Sequence, residues 1–157
     1  MRVRSLWAVA ALLVVTLGFY YLVWYYRVNR ELRDYGRSFG EPNPLDVDLL
    51  RAMLAVTIGG LVVVPASISV ARMFDRIIRA EALTGIRERL SSTVSLAVFV
   101  AVLVLFALLT VLWLAGASQS VLLALNLVGL ALLAGKLAYT QHHVNGIWRR
   151  ALASPSH

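Results

Sequence analysis

Residue types that could do chemistry are few in this chain of 157 residues, and they do not converge on one site. The chain contains no cysteine, which excludes a disulfide, a thiolate nucleophile and a cysteine-bound metal. His142 and His143 are neighbours on a predicted helix, so their side chains point about 100° apart, and His157 lies in the tail. We therefore expect no metal, haem or other cofactor, and we assign no catalytic residue.

Three residues near the C-terminus form a candidate interaction site. Gln141, Asn145 and Trp148 have i, i+4, i+7 spacing, so they share one face of a helix. Two interpretations stay open. The face can bind a lipid headgroup or a partner protein. Alternatively, the two amides join the last helix to the first, while Trp148 lies at the membrane interface.

A basic cluster made of Arg72, Arg76 and Arg79 is the second candidate site. The chain has 15 basic and 8 acidic residues, a net charge of +7 and a pI of about 10.6. Arginines beside an apolar segment bind anionic lipid headgroups and also orient the segment in a membrane. We expect anionic lipid as the partner, and no nucleic acid, because no recognition motif accompanies the charge.

Two polar residues, Asn126 and Lys136, interrupt the last apolar segment. We expect Asn126 to form a hydrogen bond with a neighbouring helix and Lys136 to extend toward the nearby cytoplasmic surface. A pathway for a transported solute is the alternative, because ionisable residues within a membrane often mark one. No aspartate or glutamate lies in any apolar segment, which argues against proton or cation translocation.

Four apolar segments carry these residues. Hydrophobic residues make up 60% of the chain and charged residues 15%, with a mean hydropathy of +0.77, which is typical of a membrane protein. Each segment has about 20 residues, enough for a helix to cross a bilayer. The sequence predicts an all-α fold, a four-helix transmembrane bundle with helix extensions beyond the bilayer. The single domain covers residues 1–153, with spans at about 6–26, 52–73, 94–116 and 121–139 and a disordered tail at 154–157.

Four spans place both termini on the same side of the membrane. That side has the larger number of arginines, so we expect cytoplasmic termini in a multi-pass protein of the bacterial inner membrane. The opposite side then carries the arginines of the first loop, Arg27, Arg30, Arg33 and Arg37. A re-entrant alternative stays open. Gly18 can turn the first segment back, and the stretch from Gly59 to Pro65 can turn the second, which places every arginine cluster on one side.

Capping signals predict where helices begin and end. Gly36 and Gly85 suit helix C-termini, because glycine readily adopts a positive φ. The Asn43-Pro44 pair is typical of a helix start, and a hydroxyl residue at 91–93 can cap the third apolar helix. About five residues connect the last two segments, which predicts an antiparallel hairpin.

Two stretches resemble a known family. The segment Thr16–Tyr20 reads TLGFY and precedes an aromatic and basic helix from Trp24 to Leu32. This combination is similar to the signature of the bacterial membrane family catalogued as domain of unknown function 4234. The pattern of Gln141, Asn145 and Trp148 resembles that family's C-terminal motif. The resemblance implies a bacterial integral membrane protein and no particular reaction, because the family has no assigned activity.

These observations favour a structural role. We expect a scaffold or accessory subunit that interacts with anionic lipid and with a membrane-protein partner or a second copy of itself. Enzymatic activity stays open, with a non-enzymatic role favoured. One alternative is a small oligomeric transporter or channel that uses Asn126 and the break from Gly59 to Pro65. The other is a lipid-modifying enzyme that uses Gln141, Asn145 and a neighbouring histidine.

Overall fold

The computed structural model describes residues 3–58 and 64–153, and within these ranges all regular secondary structure is helical, as the sequence predicts. A short 3₁₀ helix, Arg37–Phe39, follows the second α-helix. The predicted tail at 154–157 lies outside the described residues. The α-helices of the described ranges are α1 (Leu6–Val15), α2 (Tyr20–Gly36), α3 (Leu49–Thr57), α4 (Val64–Leu83), α5 (Ser92–Leu114) and α6 (Gln119–Ala153).

The first apolar segment forms a helical hairpin. The Ser5 side chain caps α1 by accepting a backbone N–H of the first turn. The helix ends before Leu17 and Gly18, which both adopt a positive φ. Arg4, which precedes α1, forms an ion pair with Glu31, near the end of α2. Since the start of α1 meets the end of α2, the two helices are antiparallel.

Residues 6–26 therefore do not form the one continuous helix that a span there would require, and they reverse direction at Gly18, the position at which the alternative places a turn. The turn satisfies its own backbone groups. Thr16 Oγ1 accepts the N–H of Tyr20 at 2.9 Å and donates to the carbonyl four residues earlier at 2.7 Å. The N–H of Gly18 donates to the carbonyl of Leu13 at 2.8 Å. Glycine tolerates the positive φ that this turn requires.

The second apolar segment is also divided between two helices. Ser69 of α4 donates to the carbonyl of Ala52 in α3 at 3.2 Å. The two residues lie about equally far from the connection between the helices, so α3 and α4 are antiparallel. The described residues of 52–73 therefore belong to two helices and not to one continuous helix. Gly59 and Gly60 lie outside the described residues.

Helix α3 begins after Asp48, five residues later than Asn43. The Asp48 side chain accepts the N–H of Arg51 at 3.1 Å, which makes it the N-cap. Asn43 instead binds the loop to the end of α2. Its Nδ2 donates to the carbonyl of Arg33 at 3.0 Å, and its Oδ1 accepts the N–H of Leu45 at 2.9 Å. The predicted helix start at Asn43-Pro44 is thus a loop anchor.

The third and fourth apolar segments form a long antiparallel hairpin, as predicted. Ser91 caps α5 by accepting the N–H of Val94, and Gly116 adopts a positive φ in the four-residue connection 115–118. By length and composition, α5 and α6 are the two helices of the described ranges that are long and apolar enough to cross a membrane. Helix α6 continues beyond the predicted span to Ala153.

The three hairpins share one end, which we call the base; it includes Arg4, Glu31, Glu81 and residues 129–148 of α6. Arg4, Glu31 and Asn145 lie together there, so the arginines of α2 are at the same end as Arg4. The four-span arrangement places Arg4 and the arginines of α2 at opposite ends, which the α1–α2 hairpin contradicts. The turn of the first hairpin lies part of the way along α6, because a Cβ at Gly18 would be 4.0 Å from Leu130 Cδ2.

Residues 107–128, the distal part of the α5–α6 hairpin, form a region that we call the tip. All of these residues are described, and Leu109 is the one buried residue among them. Every buried residue of α6 lies from Gly129 onward. The large exposed apolar side chains of the tip are Leu108, Val111, Trp113, Leu114, Val121, Leu123, Leu127 and Val128.

Candidate functional site

The predicted polar face of α6 lies inside the base. Trp24 Nε1 donates to Gln141 Oε1 at 2.6 Å, and Gln141 Nε2 donates to Asn145 Oδ1 at 2.8 Å. Asn145 also binds the backbone of Arg4, accepting its N–H at 3.0 Å and donating to its carbonyl at 2.7 Å. The interpretation that the amides join the last helix to the first segment is confirmed. Because both amides are buried, they do not form an exposed docking face.

Trp148 is internal too, and it does not lie at an interface. Its side chain is 0% exposed, and its ring meets that of Tyr35 edge-on with centroids 5.6 Å apart. Its Nε1 has no hydrogen-bond partner among the described residues. Trp148 therefore holds α6 to α2 by packing.

Lys136 is enclosed in the bundle and does not extend toward a surface. Its Nζ donates to the hydroxyl of Tyr21 at 3.1 Å, and the residue is 5% exposed. The ammonium lies 4.7–5.1 Å from the ring centroids of Tyr21, Phe74 and Phe99. Aromatic faces stabilise a cation at such distances. Lys136 thus links α6 to α2, α4 and α5.

A buried pair, Glu81 and His143, joins α4 to α6. Glu81 Oε1 lies 2.6 Å from His143 Nδ1, and Glu81 Oε2 accepts the N–H of Leu90 at 2.9 Å. This pair was not predicted from the sequence. The available signal was a carboxylate on the apolar stripe of α4, where Glu81 follows Phe74 and Ile77 at helical spacing. A buried carboxylate requires a partner, which could have directed attention to His143.

The basic cluster divides between a cleft and an open surface. Arg72 and Arg76 line a cleft of about 560 Å³ between α3 and α4, together with Arg51. Arg79 is exposed and does not line this cleft. Arg72 forms no hydrogen bond or ion pair with a described residue. The structure therefore separates three arginines that the sequence presents as one group.

Arg76 is a partly buried cation with unused hydrogen-bonding capacity. One terminal nitrogen donates to Asn29 Oδ1 at 2.6 Å, while Nε is buried without a partner in the described residues. Burial lowers the pKa of the Arg76 guanidinium, and the charges of Arg72 and Arg79 lower this pKa further. Arginine nevertheless stays protonated at neutral pH. Arg76 therefore presents a positive charge to the cleft.

Asn126 and Lys136 are not brought together. Asn126 is exposed and lines shallow cavities of the tip with Trp113. Lys136 lines a different groove, beside Ser95 and Tyr139. Asn126 and Lys136 thus line separate cavities, whereas a transport pathway that uses both side chains would require a shared one.

The cleft between α3 and α4 is the best candidate binding site. In the base, the buried amides, Lys136 and the Glu81–His143 pair already have partners within the chain. The described residues contain no group of three or more histidine, cysteine, aspartate or glutamate residues that could hold a metal ion. The cleft differs because it combines a cavity with unused guanidinium donors. Its chemistry suits the binding of an anion.

Comparison with known proteins identifies a family but no activity. A family model described as "Domain of unknown function (DUF4234)" matches residues 4–119. The match covers α1 to α5 and ends before the motif of Gln141, Asn145 and Trp148. No curated protein and no solved structure matches the chain.

Proposed function

The chain belongs to the family described as domain of unknown function DUF4234, and we propose that it is a membrane-inserted scaffold or accessory protein of the bacterial inner membrane. Helices α5 and α6 cross the membrane, and the two shorter hairpins enter it from the cytoplasmic side. The end of the base that holds Arg4, Glu31 and Asn145 lies in the cytoplasm, as do both termini. There the arginines contact anionic lipid headgroups, and the protein binds a membrane-protein partner or a second copy of itself.

The separation of charge between the base and the tip carries this proposal. No charged residue lies between Arg89 and Lys136, a stretch that includes the whole tip. The tip exposes large apolar side chains, which lipid solvates and water does not. All described arginines lie outside this stretch. An excess of arginine on one side of a membrane segment favours the cytoplasm for that side.

Distances along α6 support a shallow insertion of the first hairpin. At 1.5 Å per residue, Leu130 is about 22 Å from Asn145 and about 16 Å from Gln119. The hydrocarbon core of a bilayer is about 30 Å thick, so half of it is about 15 Å. With Gln119 at the outer surface, Gly18 lies near the middle of the bilayer, because it approaches Leu130. The α1–α2 hairpin then enters one leaflet and returns.

The filled base supports an interaction role rather than transport. Its buried polar side chains bind one another, and the residues that a solute pathway needs, Asn126 and Lys136, line separate cavities. No described residue covers the apolar surface of the tip. Such a surface is expected of a subunit that contacts lipid or another membrane protein.

Single cysteines test this arrangement cleanly, because the chain has none of its own. The variants are Ser38→Cys in the α2–α3 connection, Ser118→Cys in the α5–α6 connection and Leu17→Cys in the first turn. A membrane-impermeant maleimide is applied to intact cells and, separately, to inverted membrane vesicles. Ser118→Cys should react only in intact cells, Ser38→Cys only in inverted vesicles, and Leu17→Cys in neither before detergent is added.

Two results would contradict the proposal. Reaction of both Ser38→Cys and Ser118→Cys in intact cells would place the two connections on the same side of the membrane, as a first segment that crosses it requires. Reaction of all three cysteines without any membrane preparation, in a chain that stays monodisperse in plain buffer, would show that the protein is not inserted at all. Labelling after detergent solubilisation is the control for the reactivity of each cysteine.

A further inference from the structure

The cleft between α3 and α4 changes from polar to apolar along its length. Arg72 and Arg76 line it toward the base, while Ala55, Pro65 and Ile68 line it toward the connection between the two helices. If the hairpin enters the membrane as proposed above, the connection is the deeper end. The arginines then lie at the level of the headgroups and the apolar residues at the level of the acyl chains.

The two arginines of the cleft have donors available for a ligand. Arg72 has no hydrogen-bond or ion-pair partner among the described residues, and Arg76, which lines the same cleft, uses one terminal nitrogen on Asn29 Oδ1. A guanidinium binds a phosphate group through two parallel N–H bonds, and two guanidiniums that lie near each other are stabilised by an anion between them. Both residues are on α4, one helical turn apart.

The carboxylates of the cleft do not cancel this charge. Asp48 is engaged at the start of α3, where it caps the helix and lies 3.2 Å from Arg51 Nε. Arg51 and Asp48 therefore pair with each other at the surface. Asp46 is exposed at the rim of the cleft. Arg72 and Arg76 remain for a ligand.

We propose that this cleft binds one anionic glycerophospholipid, with its phosphate on Arg72 and Arg76 and an acyl chain along Ala55, Pro65 and Ile68. The inference rests on the proposed membrane insertion, and it adds a defined lipid site to what is otherwise a diffuse basic surface. A cleft of about 560 Å³ lies within the usual size of ligand sites, and it accommodates a headgroup together with the first part of one chain.

A matched pair of arginine variants separates a site from general surface charge. Arg72→Gln and Arg79→Gln each remove one exposed charge from the same helix, but only Arg72 lines the cleft. The full-length protein in neutral detergent is titrated with fluorescent phosphatidylglycerol, with fluorescent phosphatidylcholine as the comparison. We expect phosphatidylglycerol to bind in preference, Arg72→Gln to lower its affinity about ten-fold, and Arg79→Gln to lower it by less than about three-fold.

A second variant tests the apolar part of the cleft without changing charge. Ile68→Trp places a large side chain on the apolar wall, where it should block the acyl chain and weaken binding about as much as Arg72→Gln does. Inorganic phosphate at millimolar concentration should not displace the lipid. Displacement by phosphate alone would assign the arginines to a free anion and overturn the lipid site.

Equal losses for Arg72→Gln and Arg79→Gln would also overturn the site, because they would show only diffuse attraction. The binding titration uses detergent-solubilised protein and does not depend on membrane topology. The cysteine labelling described above uses membranes and does not depend on Arg72. A failure of the lipid site is therefore distinguishable from a failure of the proposed membrane insertion.

Discussion

The base and the tip are built on the same two helices, α5 and α6, but their side chains have opposite surroundings. From Gly129 to Trp148, α6 contributes twelve buried residues. This part of the helix packs against α1, α4 and α5, and its side chains form hydrogen bonds with α2. From Gln119 to residue 128, the same helix contributes none. Both halves are rich in leucine and alanine. The difference is therefore in what covers the helix: protein in the base and, under the proposed function, lipid in the tip.

The position of polar side chains reports this difference better than hydropathy does. Lys136, Gln141 and Asn145 occur where other helices surround α6, and each has a partner there. Burial of a polar group is costly without such a partner. Asn126, the corresponding polar residue of the tip, is exposed. In α6, polar residues with a hydrogen-bond partner in the chain therefore mark the part of the helix that other helices cover.

The largest difference in stability is expected between substitutions of two tryptophans in the α5–α6 hairpin. Trp148 is fully buried in the base, whereas Trp113 is 66% exposed in the tip. Trp148→Ala should lower the free energy of unfolding by about 3–5 kcal/mol, because it leaves a cavity between α6 and α2. Trp113→Ala should lower it by less than about 1 kcal/mol. Denaturant titration in detergent micelles measures both, and equal losses would remove the distinction between base and tip.

A smaller difference in stability is expected between substitutions of two amide side chains, Gln141 and Asn126. Gln141→Leu removes the acceptor of Trp24 Nε1 and the donor to Asn145, and it leaves buried polar atoms unpaired. The expected loss is about 2–3 kcal/mol in the same titration. Asn126→Leu removes an exposed amide from the apolar tip, so stability should stay constant or rise slightly. A destabilising effect of Asn126→Leu would show that the tip has a polar contact of its own.

The smallest contrast concerns two glycines. Gly36 has helical backbone angles, so it does not end α2 through a positive φ. A Cβ at this position would lie 2.0 Å from Asn43 Oδ1 and 2.8 Å from Leu45 Cβ. Gly36→Ala should therefore cost about 1–2 kcal/mol. Gly135→Ala, where a Cβ meets nothing within 4 Å, should be neutral or stabilise α6 by up to about 1 kcal/mol. A neutral Gly36→Ala would show that the loop moves aside easily.

Local features of the fold were predictable from the sequence, because short-range interactions determine them. The all-helical class follows from apolar segments without two-residue alternation. Gly85 does adopt a positive φ after α4, and Ser91 does cap α5. The antiparallel α5–α6 hairpin follows from its short connection. Each of these features depends on a few neighbouring residues.

The two shorter hairpins were not the preferred prediction, because hydropathy cannot report a reversal of direction. Residues 6–26 have the length of one span, and both arms of a hairpin in lipid are apolar as well. The sequence signal for a turn was Thr16 followed by Gly18. Only the tertiary contacts, Gly18 with Leu130 and Arg4 with Glu31, distinguish a turn from a kink. The Glu81–His143 pair was missed for a related reason, since its partners are 62 residues apart.

One distance tests the reversal of the first segment most directly. Spin labels are attached to Val3→Cys and Arg30→Cys, two exposed positions beside the Arg4–Glu31 ion pair. In lipid vesicles, pulsed electron paramagnetic resonance should give a separation below about 20 Å, because the labels lie on adjacent antiparallel helices. A separation of about 40 Å, the length of one continuous helix between these positions, would contradict the hairpin and restore a transmembrane span.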